Sequence, residues 1–277
     1  MNERILVTGA TGNVGSEVLD ALRSAGHFVV AGVRDPQSVQ GPACQIDFEG
    51  ETEIDGSYRA VFLMRPPHLT DPDLFERFLD AFPRDTLIVF LSVQGAEHQS
   101  YIPHAKIERV ISEMGFPHVF VRPSYFMENL TTTLWPELKR SNRIYLPAGD
   151  LKLDWVSARD ITEICAKALT GEITSQAVTV TSGACMGFDE VCQKLNGTLG
   201  TTIQYHAASL LGFVRHSRRH GVGWSYVFVM LMLHFLPRFS RDTSAPVDRV
   251  HRLLGRPAET IEEFAKRNAE TFSKLPR

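Results

Sequence analysis

At 277 residues the chain is long enough to bury one large core, or one core with a smaller lobe. With 43% apolar and 22% charged residues it reads as a globular chain and not a disordered one, and a net charge of -3 gives no electrostatic footprint for nucleic acid. Four cysteines (Cys44, Cys165, Cys185, Cys192) share neither a CxxC pairing nor metal-ligand spacing, so the expectation is reduced thiols in a cytoplasmic setting and no bound metal.

The chain opens with a short apolar run, Ile5-Leu6-Val7, stopped by Thr8-Gly9. That pattern predicts a buried strand ending in a turn. Gly9, Gly12 and Gly15 recur every third residue, and Ser16 to Leu22 continue with helical spacing. A strand, a glycine turn and a helix is the arrangement that cradles a dinucleotide pyrophosphate. Gly9 permits the tight turn, Gly12 removes a Cβ from the phosphate's path, and Gly15 lets the helix pack closely on the strand. The phosphates would meet the N–H groups at the positive end of that helix.

His27 to Val33 is the second strand, followed by Arg34-Asp35-Pro36. An acidic residue at this tip binds the ribose hydroxyls of NAD, whereas an arginine accepts the 2′-phosphate of NADP. Arg34 comes first and favours NADP(H), with NAD(H) still possible. Asp35 before a proline reads as a turn starter.

Ala43 to Asp47 is a third strand, with Asp47-Phe48 placed to lie near an adenine. Ala60 to Met64 is a fourth, stopped by Arg65-Pro66-Pro67, a rigid wall at a strand's carboxyl end. Asp73 to Phe82 carries an aromatic stripe at helical spacing that reads as core. Thr86 to Leu91 is the fifth strand, ending in Ser92, and Ile102 to Glu113 a helix holding His104, Lys106 and Glu108. His118 to Val121, before Arg122-Pro123, is the sixth. Six strands separated by helices predict an α/β fold, a doubly wound parallel sheet.

Beyond residue 124 the regularity weakens, and this region is expected to be a mainly helical lobe beside the strand ends. The expected division is a nucleotide-binding domain over 1–123, with elements returning at 151–182, and a substrate or lid region over 124–277. Helices are predicted at Ala158 to Leu169, Gly187 to Leu195, Leu210 to Arg219, Trp224 to Leu236, Val247 to Leu254 and from Thr260, and strands at Asn142 to Leu146 and Ala177 to Val180. Asp160, in an opening turn, has a structural cap as its plainest role. The apolar run Val222 to Leu236 contains His234 and is too short to span a bilayer, so no membrane partner is expected. The amino-terminal residues lack the basic and apolar pattern of a signal peptide.

Several stretches together resemble the NmrA-like members of the atypical short-chain dehydrogenase/reductase superfamily. They are Thr8-Gly9-Ala10-Thr11-Gly12-Asn13-Val14-Gly15, Phe62-Leu63-Met64-Arg65-Pro66-Pro67, and Arg122-Pro123-Ser124-Tyr125-Phe126-Met127-Glu128-Asn129-Leu130. The ending Leu254-Gly255-Arg256-Pro257 through Phe264 joins them, so the likeness covers nearly the whole chain. The third stretch, close to the family's R-P-x-x-F-M-E-N pattern, is the most specific.

The resemblance implies a Rossmann-type fold binding NADP(H) along Gly9, Thr11, Gly12, Asn13, Val14 and Gly15, then Arg34, Asp47, Phe48, Met64, Arg65, Pro66 and Ser92. The nicotinamide is implied near Lys106, Pro123, Tyr125 and Phe126, with Lys106 and Tyr125 as catalytic candidates. Phe126, Met127, Asn129, Trp155 and Trp224 are the candidates for contact with substrate. The implied activity is reduction of a bulky apolar or aromatic carbonyl, imine, quinone or enone by a monomer or homodimer, with an NADP(H)-sensing regulator as the alternative.

One departure bears on the chemistry. The superfamily's usual Tyr-x-x-x-Lys pair is missing, because Tyr101 precedes Lys106 by five and position 102 is Ile. Lys106 is then expected to orient the cofactor, with His104 or water left as proton donors.

Overall fold

The computed structural model describes residues 4–50, 52, 54, 58–183, 185–239 and 247–276. In chain order the first elements are β1 (Ile5–Thr8), α1 (Asn13–Ser24), β2 (Val29–Val33), β3 (Ala43–Gln45), β4 (Ala60–Met64) and α2 (Pro72–Leu79). β5 (Leu87–Leu91), α3 (Pro103–Glu113), β6 (His118–Pro123), β7 (Tyr125–Phe126), α4 (Trp135–Ser141) and β8 (Arg143–Leu146) follow. Next come β9 (Lys152–Val156), α5 (Ala158–Leu169), β10 (Ala177–Val180), β11 (Cys185–Gly187), α6 (Phe188–Leu199) and β12 (Gln204–Ala207). The chain ends with α7 (Leu210–Arg219), α8 (Trp224–His234), α9 (Val247–Leu254), α10 (Ile261–Arg267) and α11 (Ala269–Phe272).

The elements fall into two compact units. The first comprises Met1–Ser124, Ala158–Val180 and Asp248–Ala258, the second Tyr125–Ser157, Thr181–Val247 and Glu259–Arg277.

In the first unit seven strands form one sheet in the order β10-β6-β5-β4-β1-β2-β3. Every neighbouring pair is parallel. The expected doubly wound α/β fold is therefore present, with β10 extending the predicted six strands to seven. β1 and β2 are buried along their whole length, so they read as continuous apolar runs and not as alternating ones. Phe75, Phe78, Leu79 and Phe82 pack with Leu63, Ile88 and Phe90, which gives the predicted aromatic stripe its core role. The order of strands reverses between β1 and β4, and ligands of open α/β sheets bind beyond the carboxyl ends at such a reversal.

Two devices fix the carboxyl ends of β1 and β4. The Thr8 hydroxyl donates to the Phe62 carbonyl at 3.0 Å and accepts from the Met64 N–H at 3.0 Å. A Cβ added to Gly15 would lie 2.2 Å from the Gly9 carbonyl oxygen and 2.7 Å from its carbon, so α1 approaches the strand end as only glycine allows. On another helix, Asp160 is fully buried and pairs with Arg256 at 2.8 Å.

The second unit holds more strand than its sequence pattern showed. β11 pairs antiparallel and β7 parallel with β9, while β12 and β8 form a separate parallel pair. β7 and β11 have two and three residues, too short for any periodicity to register. The core of this unit gathers Leu130, Leu138, Trp155, Phe188, Phe213 and Phe264, among others. A capping box between Thr260 and Glu263 starts α10. Among the described residues no helix is long and apolar enough to cross a membrane.

Gly15→Ala should destabilise the fold by about 1–3 kcal/mol, because its new methyl meets backbone that cannot step aside. Gly197→Ala is the control. It lies in α6 with open space around it and should gain about 0.5–1 kcal/mol in the same urea titration.

Candidate active site

The glycine turn follows β1 directly. Gly9 sits at φ +62°, a conformation that side chains other than glycine rarely adopt. Its carbonyl accepts the Gly12 N–H at 2.8 Å, which closes the turn. Gly12 is the N-cap of α1 in extended conformation, no side chain caps the helix, and no acidic residue lies in the first turn. The first-turn N–H groups and the helix dipole are thus open to an anion, and Thr11 and Asn13 stand exposed beside them. A Cβ on Gly12 would lie 3.2 Å from both the Gly9 oxygen and the Met64 methyl carbon, so a side chain there would press on both. A pyrophosphate fits this cradle of bare backbone. Met64, at the end of β4, is brought against the turn.

At the end of β2 the two neighbouring charges have different fates. Asp35 opens a 3-10 turn over Pro36–Ser38, its carboxylate accepting the Gln37 N–H at 3.0 Å. Arg34 is exposed to solvent. The acid is engaged by its own loop, while the guanidinium is available to a phosphate. Asp47 and Phe48 line a cleft of about 370 Å³ with Thr52, Leu74 and Arg77. Phe48 also packs on Phe75 and Phe78, at 5.0 and 4.9 Å between ring centres.

The carboxyl ends of β4, β5 and β6 carry a buried polar network. Arg65 donates to the carbonyls of Pro66, Pro67 and Leu69 at 3.1, 2.9 and 2.7 Å, so its head group ties down its own loop. It also donates to His104 Nε2 at 3.4 Å. Burial, with the Arg65 charge beside it, pushes His104 down to about 3 and keeps the imidazole neutral. Ser92 is buried and donates to Glu108 at 2.5 Å. Glu108 receives Arg122 at 2.9 and 2.6 Å, a bidentate pair, and Glu97 lies 3.3 Å from the same guanidinium. Arg122, from the most specific sequence stretch, is therefore a clamp between β6 and α3. Lys106 is exposed in the first turn of α3, and Tyr101 is 72% exposed with its hydroxyl on Gln99.

The remaining candidates belong to the second unit. Tyr125 is buried, edge-on to Trp155 at 4.7 Å between ring centres. Its hydroxyl lies 2.8 Å from His234 Nε2, and His234 Nδ1 lies 2.9 Å from the Met230 carbonyl. The carbonyl can only accept, which assigns the proton to Nδ1 and makes Tyr125 the donor to Nε2. Burial raises Tyr125 well above the ordinary phenol range and lowers His234 to about 4. Trp155 is fully buried with its indole N–H on the Met186 carbonyl, and Met127 is equally enclosed. Phe126 and Asn129 are partly exposed, and Trp224 is 63% exposed.

Reading the sequence missed Thr8, Glu97 and Glu108 as partners, and took His234 only as an interruption of an apolar run. Glu108 carried a signal: it stands between Ile107 and Ile111 on the core face of α3, where a carboxylate needs a cation. The partners of Tyr125 and Thr8 lie 109 and 56 positions away along the chain, and no local pattern joins them.

The seven-stranded parallel sheet and the uncapped glycine turn define a Rossmann-type fold. Residues 92–217 match the NmrA-like family. The chain is 28% identical to an NAD(P)H azoreductase of Xenophilus azovorans, over 97% of this chain and 99% of that one. It is 27% identical to a festuclavine dehydrogenase of Aspergillus fumigatus, over 73% of this chain and 75% of the other. The triphenylmethane reductase of Citrobacter sp., solved with NADP(H), superposes with a TM-score of 0.77 at 20% identity, covering 95% and 99% of the two chains. The resemblance to NmrA-like proteins drawn from the motifs is borne out over the matched residues, and the relatives extend a weaker likeness along most of the chain.

Half-buried His104 and buried His234 set a pH dependence. Both have folded-state values depressed from 6.5, to about 3 for His104 and about 4 for His234, so the fold favours their neutral forms. Their contribution to stability is complete above pH 6.5 and is lost as pH falls towards those values. Urea unfolding of the wild type at pH 7.5 and 4.5 should show that loss. His234→Gln should reduce it by on the order of 1–3 kcal/mol.

Proposed function

We propose that the chain is an NADPH-preferring reductase of bulky apolar or aromatic electrophiles. The observation that carries this reading is the β1 glycine turn with its uncapped helix, together with Arg34 exposed beyond β2 while Asp35 is held in its own turn. Relatives named as an NAD(P)H azoreductase and a festuclavine dehydrogenase support a hydride-transfer activity.

The bound nicotinamide cofactor would supply the hydride. The first-turn N–H groups of α1 would hold its pyrophosphate, and Arg34 its 2′-phosphate. Met64 would pack beside the bound phosphates and Lys106 would orient the nicotinamide ribose. Ser92, Glu108 and Arg122 would keep the ends of β5, β6 and α3 rigid around them. Rate enhancement would come from positioning and exclusion of water more than from a strong acid. Neutral His104 is no store of acid near pH 7, since its proton affinity is too low.

A second reading, an NADP(H)-sensing protein without turnover, has one observation in its favour. Tyr101 points to solvent and leaves Lys106 without the usual tyrosine partner.

Titration of purified protein tests the cofactor assignment. Arg34→Ala should weaken NADPH roughly ten- to hundredfold and change NADH by no more than about twofold. Equal losses for both would remove the phosphate role. With a panel of azo dyes, quinones and enones, NADPH oxidation should be seen for at least one substrate class, and Lys106→Ala should lower its kcat/KM by roughly tenfold or more.

A further inference from the structure

One surface of the second unit is left unexplained by dinucleotide chemistry. In α8 the inward stripe is Val227, Met230 and His234, all buried. The outward face is Trp224, Phe228, Val229, Met232 and Leu233, all exposed, with Trp224 63% and Phe228 61% accessible. A helix that is apolar all round needs an apolar neighbour on each side, and here water meets the second side. Leu211 on α7 is also 81% exposed.

The segment that carries this face has charge of one sign, although Glu137 from α4 meets His216 of α7 at 2.9 Å. Residues 191–241 contain no aspartate or glutamate but six lysines and arginines, in a chain whose net charge is -3. Arg215, Arg218 and Arg219 are exposed on α7, next to the start of α8, and Arg238 is exposed beyond its end. Arg218 lies over the Trp224 ring at 4.9 Å, which places a guanidinium and an indole together at one edge of the apolar face. Apolar side chains in the middle, an aromatic ring at the margin and cations around them match the interface of an anionic bilayer. A second copy of the chain is a poorer occupant. Parallel or antiparallel packing of α8 on itself sets cationic ends against cationic ends, with no acid in the segment to compensate.

We infer that the α7–α8 hairpin is a membrane-surface docking face for anionic lipid. The helix lies in the plane of the interface with Phe228, Met232 and Leu233 inserted and Arg215, Arg218 and Arg219 on the headgroups. This is attachment without spanning, since α8 has 11 residues.

Sedimentation with vesicles tests it, using the full chain. Vesicles of phosphatidylcholine with about a third phosphatidylserine should pellet the protein, and pure phosphatidylcholine should pellet at least roughly tenfold less. Arg215→Glu with Arg218→Glu and Arg219→Glu should abolish binding, as should Phe228→Ser with Leu233→Ser. Unchanged far-ultraviolet circular dichroism and NADPH affinity would show that each variant is folded. Should a variant fail to fold, the wild type still decides the matter, because its vesicle binding must fall steeply between low and high salt. Absence of pelleting, equal binding to neutral vesicles, or a dimer that Phe228→Ser with Leu233→Ser dissociates while no vesicle binds would overturn the inference. The last result would assign the face to a protein contact.

Discussion

Gly15 stands against the carbonyl of Gly9, and the geometry of the nucleotide-facing edge follows from that approach. A methyl group would sit 2.2 Å from the oxygen, so any other residue would push α1 away from β1. Keeping the helix close sets its positive end, uncapped and free of acids, directly above the turn. Thr8 then locks β1 to β4 from the other side, donating to one strand and accepting from it two residues later. The reversal of strand order falls between those two strands. Helix dipole, bare backbone and sheet reversal coincide because one contact distance makes them coincide.

Around that edge, charge is handled by pairing. Glu108 neutralises Arg122 in a bidentate geometry and also holds Ser92. Arg65 places its guanidinium on three carbonyls and leaves His104 neutral. A wall built of satisfied groups is stiff, which suits the proposed reaction, governed by positioning. Arg34 is different in being exposed, and cofactor choice is read from that difference. In the second unit, Glu137 shows the same economy of pairing. Burial would raise its carboxyl, but hydrogen bonds from His216, Ser141, Arg140 and Arg143 outweigh this and hold it at about 2.

Most of the first unit was legible because its signals are local. A buried parallel strand is a short apolar run, and a dinucleotide turn is three glycines at fixed spacing. The strand at Ala177–Val180 could be seen, but not its place beside β6, since that pairing is set by crossover topology. Arg65 and Ser92 were foreseen as contacts to the cofactor, yet the structure engages both with protein partners, an outcome decided by side-chain direction and not by position in a motif. The second unit was hardest to read. β7 and β11 are too short for a period, and the Tyr125–His234 hydrogen bond joins residues that no sequence window holds together. Trp155 looked like a substrate contact by its aromatic character, but it is fully enclosed in core.

The central claim is that this chain moves a hydride from NADPH to an apolar or aromatic acceptor. The most direct measurement uses NADPH deuterated at C4, each face in turn, with an azo dye, a quinone and an enone, followed by mass spectrometry of the products. The account predicts that one face alone delivers deuterium, to a carbon of the reduced enone or to a solvent-exchangeable site of dye or quinone with matching loss of label from the cofactor. Tight NADPH binding with label retained on both faces across the whole panel would contradict it and leave a cofactor-sensing protein in its place.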